Sequence, residues 1–384
     1  MSETYLDAAS TAKYGDIEPI IINAMTRAME ESWQNPSSLY ATHVKDKIDK
    51  CRLRIARFIG AKADEIYFTS GASEANNWAI HGWADKEWEN KYYTPNIITT
   101  YIEHKSIIRA VENECLRAFV RFCDVDEFGM MNLNSLEYML SQCEDESVLV
   151  SVCMANNEIG TIQHIRMISD LVHKCNGVLH VDATQALGHI PINVEELGID
   201  MMSCSGHKIS PVLKGIGFLY KRNGINIKPL IYGNQEHGLR GGTENTFGII
   251  GLGKAIEYCD VGNEMIEYMI NIRDYFINQL ESKFGCKLNG HNEYRLPNNI
   301  NVVLPDGISG ESVLYMLETS DIFISTSSAC NSHSITPSHV LKAIGLTDEE
   351  AMRSIRITIS NDTTYEDVDY FINELDKIIK IIKG

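Results

Sequence analysis

Short apolar runs alternate with helix-like segments through the first two thirds of the chain. Runs of strand length and composition occupy residues 65–69, 96–100, 148–154, 178–182, 201–204 and 216–220. Helix-like segments such as 73–88 and 166–175 lie between several of these runs. Apolar strands that alternate with helices are typical of a mostly parallel sheet, because the crossover helices shield both of its faces from water. We therefore predict an α/β fold with a mostly parallel central sheet.

The pattern changes after about residue 262. A long amphipathic helix is predicted at 264–283, and candidate strands follow near 300–304, 322–325 and 354–359, with a helix at the end of the chain. A single hydrophobic core usually stops growing near ~250–300 residues, and this chain has 384. The last part of the chain is therefore predicted to form a smaller α+β domain.

Composition and charge exclude several kinds of partner. Apolar residues make up 44% of the chain, which suffices for a folded core. The formal net charge of -18 argues against nucleic acid or an anionic membrane as a partner. The first residues, MSETYLDAAS, do not resemble a secretory signal, and no apolar run approaches the ~20 residues that span a bilayer. We predict a cytoplasmic protein with reduced thiols.

The ten cysteines show no CxxC pair and no zinc-site spacing with histidine. Cys153 and Cys204 lie in apolar runs, so both are predicted to be buried. Cys330 differs, because it lies in the polar stretch STSSACNSHS at 325–334. A free cysteine is usually buried and inert. The residues alone leave three readings of Cys330: an accident of sequence, a metal ligand or a nucleophile.

Ligands of open α/β sheets bind beyond the carboxyl ends of the strands, so the residues that follow each strand are the functional candidates. In TSGASEANN, at 69–77, a strand is followed by a tight turn and a helix. The backbone N–H groups of Gly71, Ala72 and Ser73 would face an anion such as a phosphate at the positive end of that helix. The alternative is a helix cap at Ser70 or Ser73.

Two ionisable residues follow buried strands later in the chain. Asp182 in VLHVDATQ could contact a cationic ring nitrogen, bind a metal or cap a helix. Lys208 in SCSGHK would be partly desolvated, which favours the neutral amine that forms a Schiff base with an aldehyde. The alternative for Lys208 is a surface lysine that begins a loop.

Asn157 and His104 occupy two further strand ends. Asn157 in MANNEIG could hydrogen-bond a ligand oxygen or simply shape a turn. His104 in YIEHK could lie flat against a planar ring or exchange protons near neutral pH, although a lone histidine is often only structural. An anion site, a carboxylate and a Schiff-base lysine at the ends of one sheet are what pyridoxal 5'-phosphate requires. We therefore predict that cofactor.

Seven short motifs resemble those of the pyridoxal-phosphate-dependent cysteine desulfurases: TSGASEANN, EHK, NNEIG, VDATQ, SGHK, RGGTEN and SSAC. The resemblance is to the NifS/IscS-like group of the class V aminotransferase superfamily and extends from YLDAAS to the final helix. It implies the fold type I of pyridoxal-phosphate-dependent transferases, with a large cofactor-binding domain at 14–261. The small domain would comprise 1–13 and 262–384 and carry a catalytic cysteine loop at about 325–336.

The resemblance also implies roles around the cofactor. Lys208 matches the lysine that binds the cofactor covalently, Asp182 the acid on the pyridinium nitrogen, and Gln185 the contact to the phenolic oxygen. His104 matches the histidine that stacks on the ring and is also proposed as an acid/base for the substrate thiol. The residues that match the phosphate cup are Ala72, Ser73, Ser205 and His207.

Other residues match groups that bind the substrate or a second subunit. Asn157 and Arg356 match the groups that hold the substrate carboxylate, which suits the planar fork of an arginine. Cys330 matches the cysteine that accepts the sulfur. Thr243 in RGGTEN resembles a threonine that reaches the phosphate of the partner subunit, which implies a homodimer.

The sequence departs from the family pattern in three places. Lys208 is followed by ISPVLKG, a loop one residue longer than usual, and Ser327 and Asn234 replace common glycines. None of these departures removes a chemical group.

The activity implied by the resemblance converts L-cysteine to L-alanine and places the sulfur on Cys330 as a persulfide. A sulfur-acceptor protein would then receive it, either a scaffold for iron-sulfur cluster assembly or an enzyme of thio-cofactor synthesis or tRNA thiolation. The alternatives are a selenocysteine lyase or another class V enzyme and, from a different class, a non-catalytic sulfur carrier or scaffold. No bound metal is predicted.

Overall fold

A seven-stranded sheet lies at the centre of the computed structural model of this chain, which describes residues 3–91, 94–143, 146–259, 261–326, 329–331 and 334–384. The central sheet and the smaller sheets around it are built from the following strands, in chain order: β1 (Thr4–Tyr5), β2 (Ile66–Thr69), β3 (Asn96–Thr100), β4 (Phe119–Cys123), β5 (Val148–Cys153), β6 (Val178–Asp182), β7 (Met201–Ser205), β8 (Gly217–Lys221), β9 (Lys287–Leu288), β10 (Asn299–Val303), β11 (Ile322–Phe323), β12 (Ser325–Thr326), β13 (Ala329–Asn331), β14 (Ser334–Thr336) and β15 (Ser354–Thr358).

Helices connect and cover these strands. They are α1 (Glu18–Glu31), α2 (Thr42–Phe58), α3 (Ala72–Lys91), α4 (Lys105–Glu114), α5 (Leu133–Ser141), α6 (Ile165–Lys174), α7 (Val194–Leu197), α8 (Thr246–Tyr258), α9 (Asn263–Phe284), α10 (Gly310–Glu318), α11 (His339–Ala343), α12 (Asp348–Met352) and α13 (Tyr365–Lys383). Single 3-10 turns occupy Ala63–Glu65, Gly206–Lys208 and Glu236–Gly238. Among the described helices, none is long and apolar enough to cross a membrane.

The central sheet has the strand order β2-β8-β7-β6-β5-β3-β4. Neighbouring strands from β7 to β4 pair in parallel, whereas β8 is antiparallel to both β2 and β7. Strand β2 therefore has the same direction as β7, and β8 is the strand of this sheet that runs the opposite way. The predicted mostly parallel sheet is confirmed.

Residues alternate between two cores along the central strands. In β2, Ile66 and Phe68 lie in one hydrophobic cluster with α2 and α8, and Tyr67 lies in another with α3 and α4. Successive strand residues point to opposite faces, so each face of the sheet has its own layer of helices. Cys153 and Cys204 are buried, as predicted from their apolar surroundings.

A second, antiparallel sheet has the order β12-β15-β10-β9 and packs on α9, α10 and α13. The N-terminal strand β1 pairs with β11, and Leu6 lies in the core of this second sheet. The first residues of the chain thus join its C-terminal part. The domain boundaries at 14 and 262 stay a prediction.

The strands differ from the sequence prediction in two ways. The predicted strand at 322–325 is divided into β11 and β12, which pair with β1 and β15 respectively. Five further strands were not predicted: β1, β4, β9, β13 and β14. Four of them are only two or three residues long, and β4 is an edge strand of five residues whose apolar run Arg121 interrupts.

A buried ion pair holds the segment that contains Thr243 against strand β2. The Arg52 guanidinium donates to both carboxylate oxygens of Glu236, at 2.7 and 2.8 Å, and Glu236 also accepts the Phe68 N–H at 3.1 Å. Glu236 and His237 have φ values of 47° and 59°, a region that non-glycine residues rarely adopt. The ion pair therefore fixes a strained turn.

We expect Arg52→Ala to lower the free energy of unfolding by about 3–5 kcal/mol, because the change leaves the Glu236 carboxylate buried without its cation. The Glu236 side chain is only 3% exposed. The measurement is a urea titration followed by circular dichroism. Arg109→Ala is the matched control, since its partner Glu112 is exposed and such pairs contribute about 0–1 kcal/mol. Equal losses in both variants would contradict the expectation.

Candidate active site

The carboxyl ends of β2, β3, β5, β6 and β7 meet at one edge of the central sheet, around a cavity of about 660 Å³. This volume is within the range of small-molecule sites. The cavity is lined by ten of the residues predicted from the sequence: Ala72, Ser73, His104, Asn157, Asp182, Gln185, Ser205, His207, Lys208 and Arg356.

An anion cradle forms where β2 leads into α3. The N–H groups of Ala72 and Ser73 belong to the first helical turn, where N–H groups have no partner within the helix. Gly71 precedes them with φ 152°, a conformation that favours glycine. Strand β8 approaches so closely that a Cβ on Gly217 would lie 2.6 Å from the Gly71 Cα. The exposed amides and the positive helix end suit a phosphate.

Ser205 and His207 lie beside this cradle at the end of β7. The Ser205 hydroxyl and the His207 Nδ1 are 2.8 Å apart, and both residues line the cavity. Burial, with the nearby charges of Lys208 and Lys214, lowers the pKa of His207 to about 4. The ring is therefore neutral at physiological pH and can take part in hydrogen bonds without adding charge.

Lys208 follows in the 3-10 turn after β7. Its Nζ donates to the carbonyl oxygens of Ala9 and Ser10, the latter at 2.8 Å. Burial and, after it, the neighbouring Arg356 lower the pKa of Lys208 to about 8, against the opposing effects of Asp7 and Asp182. A neutral amine is thus accessible near physiological pH, which is what a nucleophilic lysine requires.

Asp182 ends β6, the strand that pairs with β7. Its Oδ2 accepts the Asn76 side-chain amide at 2.8 Å, and its Oδ1 accepts the Thr184 N–H at 3.0 Å. The Thr184 hydroxyl lines the cavity and is buried with no hydrogen-bond partner among the described residues. Buried hydroxyls are normally paired, so this oxygen points to a ligand.

His104 begins helix α4 as its N-cap. The Nδ1 of its ring accepts the Ser106 N–H at 3.1 Å and lies 2.8 Å from the Ser106 hydroxyl. His104 is exposed at the cavity, but the protein around the ring desolvates it and lowers the pKa of His104, and the nearby Asp182 opposes that shift. A neutral, planar imidazole therefore forms one wall of the cavity.

Arg356 reaches the cavity from β15 of the second sheet. Its Nη2 contacts the Asp7 carboxylate at 2.7 Å and the Ser10 hydroxyl at 2.8 Å, and its Nη1 donates to the Asn157 carbonyl at 3.2 Å. Its Nε is buried and has no partner within the described ranges. The guanidinium keeps donor capacity for a carboxylate in the cavity.

Sequence reasoning missed several residues of the cavity wall and its support: Asp7, Ala9, Ser10, Asn76, Ser106 and Thr184. Gln185, predicted to contact a phenolic oxygen, donates from Nε2 to the Ala9 carbonyl at 3.1 Å. Ala9 and Ser10 follow no central strand, so their only sequence signal was the YLDAAS motif at the N-terminus.

Two predicted residues are not part of the described cavity wall. Thr243 is exposed and lines a neighbouring cavity of about 170 Å³, which shares Ser70 and Gly215 with the main one. Cys330 has its backbone in β13, where it pairs with Ile335 of β14, but its side chain lies outside the described residues. Ser327 also lies outside them.

The loop that follows Lys208, one residue longer than in the family pattern, packs against the end of β7. Leu213 is fully buried and packs against Gly206, where a Cβ would lie 3.0 Å from the Leu213 Cβ. Lys214 and Gly215 then line the cavity. The extra residue is accommodated without closing the site.

Comparisons with known proteins agree with this geometry. The family described as Aminotransferase class-V matches residues 4–371. The Cysteine desulfurase IscS of Clostridium botulinum is 42% identical over 98% of this chain and 94% of its own length. A solved structure of a NifS-like protein superposes with a TM-score of 0.89 at 33% identity, covering 99% of this chain and all of the other. A solved structure of SspA in complex with cysteine has a TM-score of 0.79 at 32% identity, over 94% of this chain and 100% of that one.

Pyridoxal phosphate is the cofactor of this family, and the cavity fits it. The anion cradle at Ala72 and Ser73 suits the phosphate, and the Asp182 carboxylate suits a cationic ring nitrogen. The Lys208 amine, with its lowered pKa, suits an aldehyde. The unpartnered Thr184 hydroxyl adds a donor that protein groups leave unused.

Family match, full-length relatives and site geometry therefore agree. The resemblance to the cysteine desulfurases predicted from the sequence is confirmed, and the chain belongs to the aminotransferase class-V family of pyridoxal-phosphate-dependent enzymes.

Proposed function

We propose that this protein is a cysteine desulfurase that converts L-cysteine to L-alanine and collects the sulfur on Cys330. The observation that carries the proposal is the convergence of an anion cradle, Asp182, Lys208 and Arg356 on one cavity. Full-length relatives named cysteine desulfurase and the similarity to SspA in complex with cysteine support the choice of substrate.

When bound, pyridoxal phosphate supplies a carbonyl for the substrate amine and an electron sink for the bond that is broken at Cα. Lys208 would hold the cofactor through its amine. The same Nζ, where it is not bonded to the cofactor, would take the Cα proton of the substrate. Asp182, fixed by Asn76 and the Thr184 N–H, would keep a proton on the ring nitrogen.

Arg356 would bind the substrate carboxylate. Arg356 Nη2 and Lys208 Nζ each contact Ser10 at 2.8 Å, through its hydroxyl and its carbonyl respectively, so one amino acid can meet both groups. The Asp7 carboxylate and the Ser10 hydroxyl orient the guanidinium through Nη2. Asn157, whose carbonyl accepts from Nη1, would add a side-chain amide on the same side of the cavity.

The attachment of the Cys330 segment supports its role as sulfur acceptor. Ser325 of β12 pairs directly opposite Arg356 of β15, so the segment leaves the sheet beside the proposed carboxylate site. Cys330 follows Thr326 by four residues, a path of at most about 14 Å. On the other side, the Ser338 hydroxyl donates to Glu158, next to Asn157, at 2.5 Å.

The sulfur would move from the substrate to Cys330 in a single displacement. The Cys330 thiolate would attack the substrate sulfur, an S–S bond would form, and the electrons of the broken C–S bond would pass to Cβ, which takes a proton to give alanine. Cys153 also lines the cavity, but burial raises the pKa of its thiol well above the ordinary value. It is therefore protonated and a poor competitor, since thiolates are the nucleophiles.

We also infer a homodimer in which Thr243 completes the partner's phosphate site. Thr243 is exposed at a cavity that opens next to Ser70, which lines the main cavity. Three apolar side chains beside its segment are exposed: Leu230, Ile231 and Tyr232, with Tyr232 at 78%. The Gly241 N–H bonds the Ile231 carbonyl at 2.8 Å, so the apolar strip and the Thr243 segment are adjacent. Such a strip suits a subunit contact.

We infer a cytoplasmic sulfur-acceptor protein, such as a scaffold for iron-sulfur cluster assembly or a thiolation enzyme, which takes the sulfur from the Cys330 persulfide.

Lys208→Ala should abolish alanine formation and the visible absorbance of the covalently held cofactor, because Lys214, the other lysine of the cavity wall, is exposed and is not desolvated as Lys208 is. Alanine is measured after incubation with cysteine, and absorbance on the purified protein. If the variant formed alanine at the parental rate, the role of Lys208 would be wrong.

Cys330→Ala should retain the absorbance and bind cysteine, yet form no protein persulfide. Mass spectrometry detects the persulfide as a gain of one sulfur atom. Cys115→Ala is the control, since Cys115 is an exposed cysteine outside the cavity. Sulfide release by the Cys330→Ala enzyme at the parental rate would exclude the thiol as acceptor, and the same assay with selenocysteine tests the lyase alternative.

Hybrid dimers of Lys208→Ala and Thr243→Asp chains should recover about half of the parental activity, because one site of each two-fold dimer then has an intact lysine and an intact threonine. Both homodimers should be nearly inactive, since an added carboxylate repels the phosphate. The hybrids are isolated by two affinity tags. An inactive hybrid would place Thr243 in the site of its own chain.

The pKa of Lys208 predicts that its reactivity in the cofactor-free protein rises with pH to half its maximum near pH 8, as the neutral amine forms. Competitive acetylation with peptide mapping measures it, and exposed lysines provide the reference near ~10.4. Arg356→Gln should move the midpoint upward, because a neighbouring positive charge is removed. A midpoint equal to that of the exposed lysines would exclude desolvation at Lys208.

A further inference from the structure

A continuous set of hydrogen bonds connects Asp182 to His104. The Asn76 amide donates one hydrogen to the Asp182 carboxylate at 2.8 Å and the other to the Ser106 hydroxyl at 2.9 Å. The Ser106 hydroxyl then lies 2.8 Å from the Nδ1 of His104. Asn76 is fully buried in α3, and Ser106 is in the first turn of α4, so the packing of these two helices builds the connection.

Each member of the set can be oriented in only one way. An ionised carboxylate accepts only, so the Asn76 amide nitrogen must face Asp182. The Ser106 N–H donates to Nδ1 at 3.1 Å, so Nδ1 must carry a lone pair. The Ser106 hydroxyl, which accepts from Asn76, is then free to donate its own hydrogen to Nδ1. The neutral ring must therefore hold its proton on Nε2.

We propose that Asn76 and Ser106 are positioning residues that fix the tautomer of His104, so that the ring presents an Nε2–H donor to the cavity. The Nε2 atom lies across the ring from Ser106, and among the described residues none hydrogen-bonds it. This inference rests on the proposed function only in identifying what that donor meets, namely the sulfur chemistry of cysteine.

The surroundings of His104 favour the neutral ring. Desolvation by the surrounding protein lowers its pKa, and residues on three elements act in the same direction: Lys208 after β7, His339 of α11 and Lys105 of α4. Asp182 at the end of β6 acts against them. Protonation at Nδ1 would also place an N–H against the Ser106 N–H, which cannot turn away because it is part of the backbone.

An Nε2 atom that already carries a hydrogen limits what His104 can do to a sulfur atom. A neutral ring that already carries a proton on Nε2 cannot accept the thiol proton there. It can donate a hydrogen bond, which stabilises the thiolate form of a substrate or enzyme sulfur. His104 would thus be a donor to sulfur and not the base that deprotonates it. The imidazolium also has an Nε2–H, so this role does not require His104 to be neutral.

The first experiment measures which ring nitrogen of His104 carries the proton. In the holoenzyme labelled with nitrogen-15 histidine, long-range proton–nitrogen correlation should show an unprotonated Nδ1 and a protonated Nε2 for His104, with His104→Gln used for assignment. Ser106→Ala removes one hydrogen bond to the neutral ring and should raise the pKa of His104 by about half to one unit. Ser106→Thr should restore the parental value. A neutral His104 with its proton on Nδ1 would overturn the proposal, as would an unchanged pKa in Ser106→Ala.

The second test separates donor from base. Kinetics of alanine formation from cysteine are measured against pH for the parent and Ser106→Ala enzymes. The acid limb of kcat/KM should stay in place in Ser106→Ala, because a donor role does not follow the ionisation of His104. An acid limb that moves upward together with the His104 pKa would identify His104 as the base and contradict the donor role.

The matched control is a serine variant near a different histidine. Ser169→Ala removes a buried serine hydroxyl close to the ring of another histidine, His173, and should leave the His104 signals unchanged. If the parent formed no alanine from cysteine, the proposed function would fail, whereas the tautomer would still be measured directly. The two failures are therefore distinguishable.

Discussion

The common direction of six strands in the central sheet is the constraint on which the cavity depends. Because β2, β3, β5, β6 and β7 end at the same edge, residues far apart in sequence meet there. The antiparallel β8 begins at this edge, and its first residue, Gly217, lies against Gly71 and the Cys204 carbonyl, where a Cβ would be 2.4 Å from the oxygen. A side chain at that position would push the anion cradle away from the end of β7.

Burial is the main determinant of ionisation in the cavity. Arg356 lowers the pKa of Lys208, whereas the carboxylates of Asp7 and Asp182 raise it. Desolvation is the largest influence on Lys208, on His104 and on Cys153, and in each case it favours the uncharged form. The same edge of the sheet thus holds a usable amine, a neutral imidazole and an inert thiol, while the proposed sulfur acceptor is supplied by a separate segment.

The parts of the fold that were predictable are those whose signal is local. The predicted strands at 96–100 and 178–182 coincide with β3 and β6, because strands buried on both faces are continuous apolar runs. Strand β4 was not predicted although four of its five residues are apolar, because Arg121 divides them into two pairs that are too short to indicate a strand. The division between β11 and β12 was equally hidden, since it depends on pairing with β1 and β15, which are distant in sequence. Strand ends can be read from such runs, so Asp182, Lys208 and His104 were predicted from the residues themselves. Gln185 and Arg356, which also line the cavity, were predicted only through the family resemblance.

The sequence by itself determined which functional groups stand at the strand ends: an amide cradle, a carboxylate, a lysine, an imidazole and an asparagine. Only the tertiary structure decided their chemical state. The orientation of Arg356 depends on Asp7 and Ser10 from the other end of the chain, and the Ser106 hydroxyl beside the His104 ring is held by Asn76 from another helix. A residue type states which protons a group can hold, whereas desolvation and the hydrogen-bond partners contributed by distant elements decide which of them it keeps.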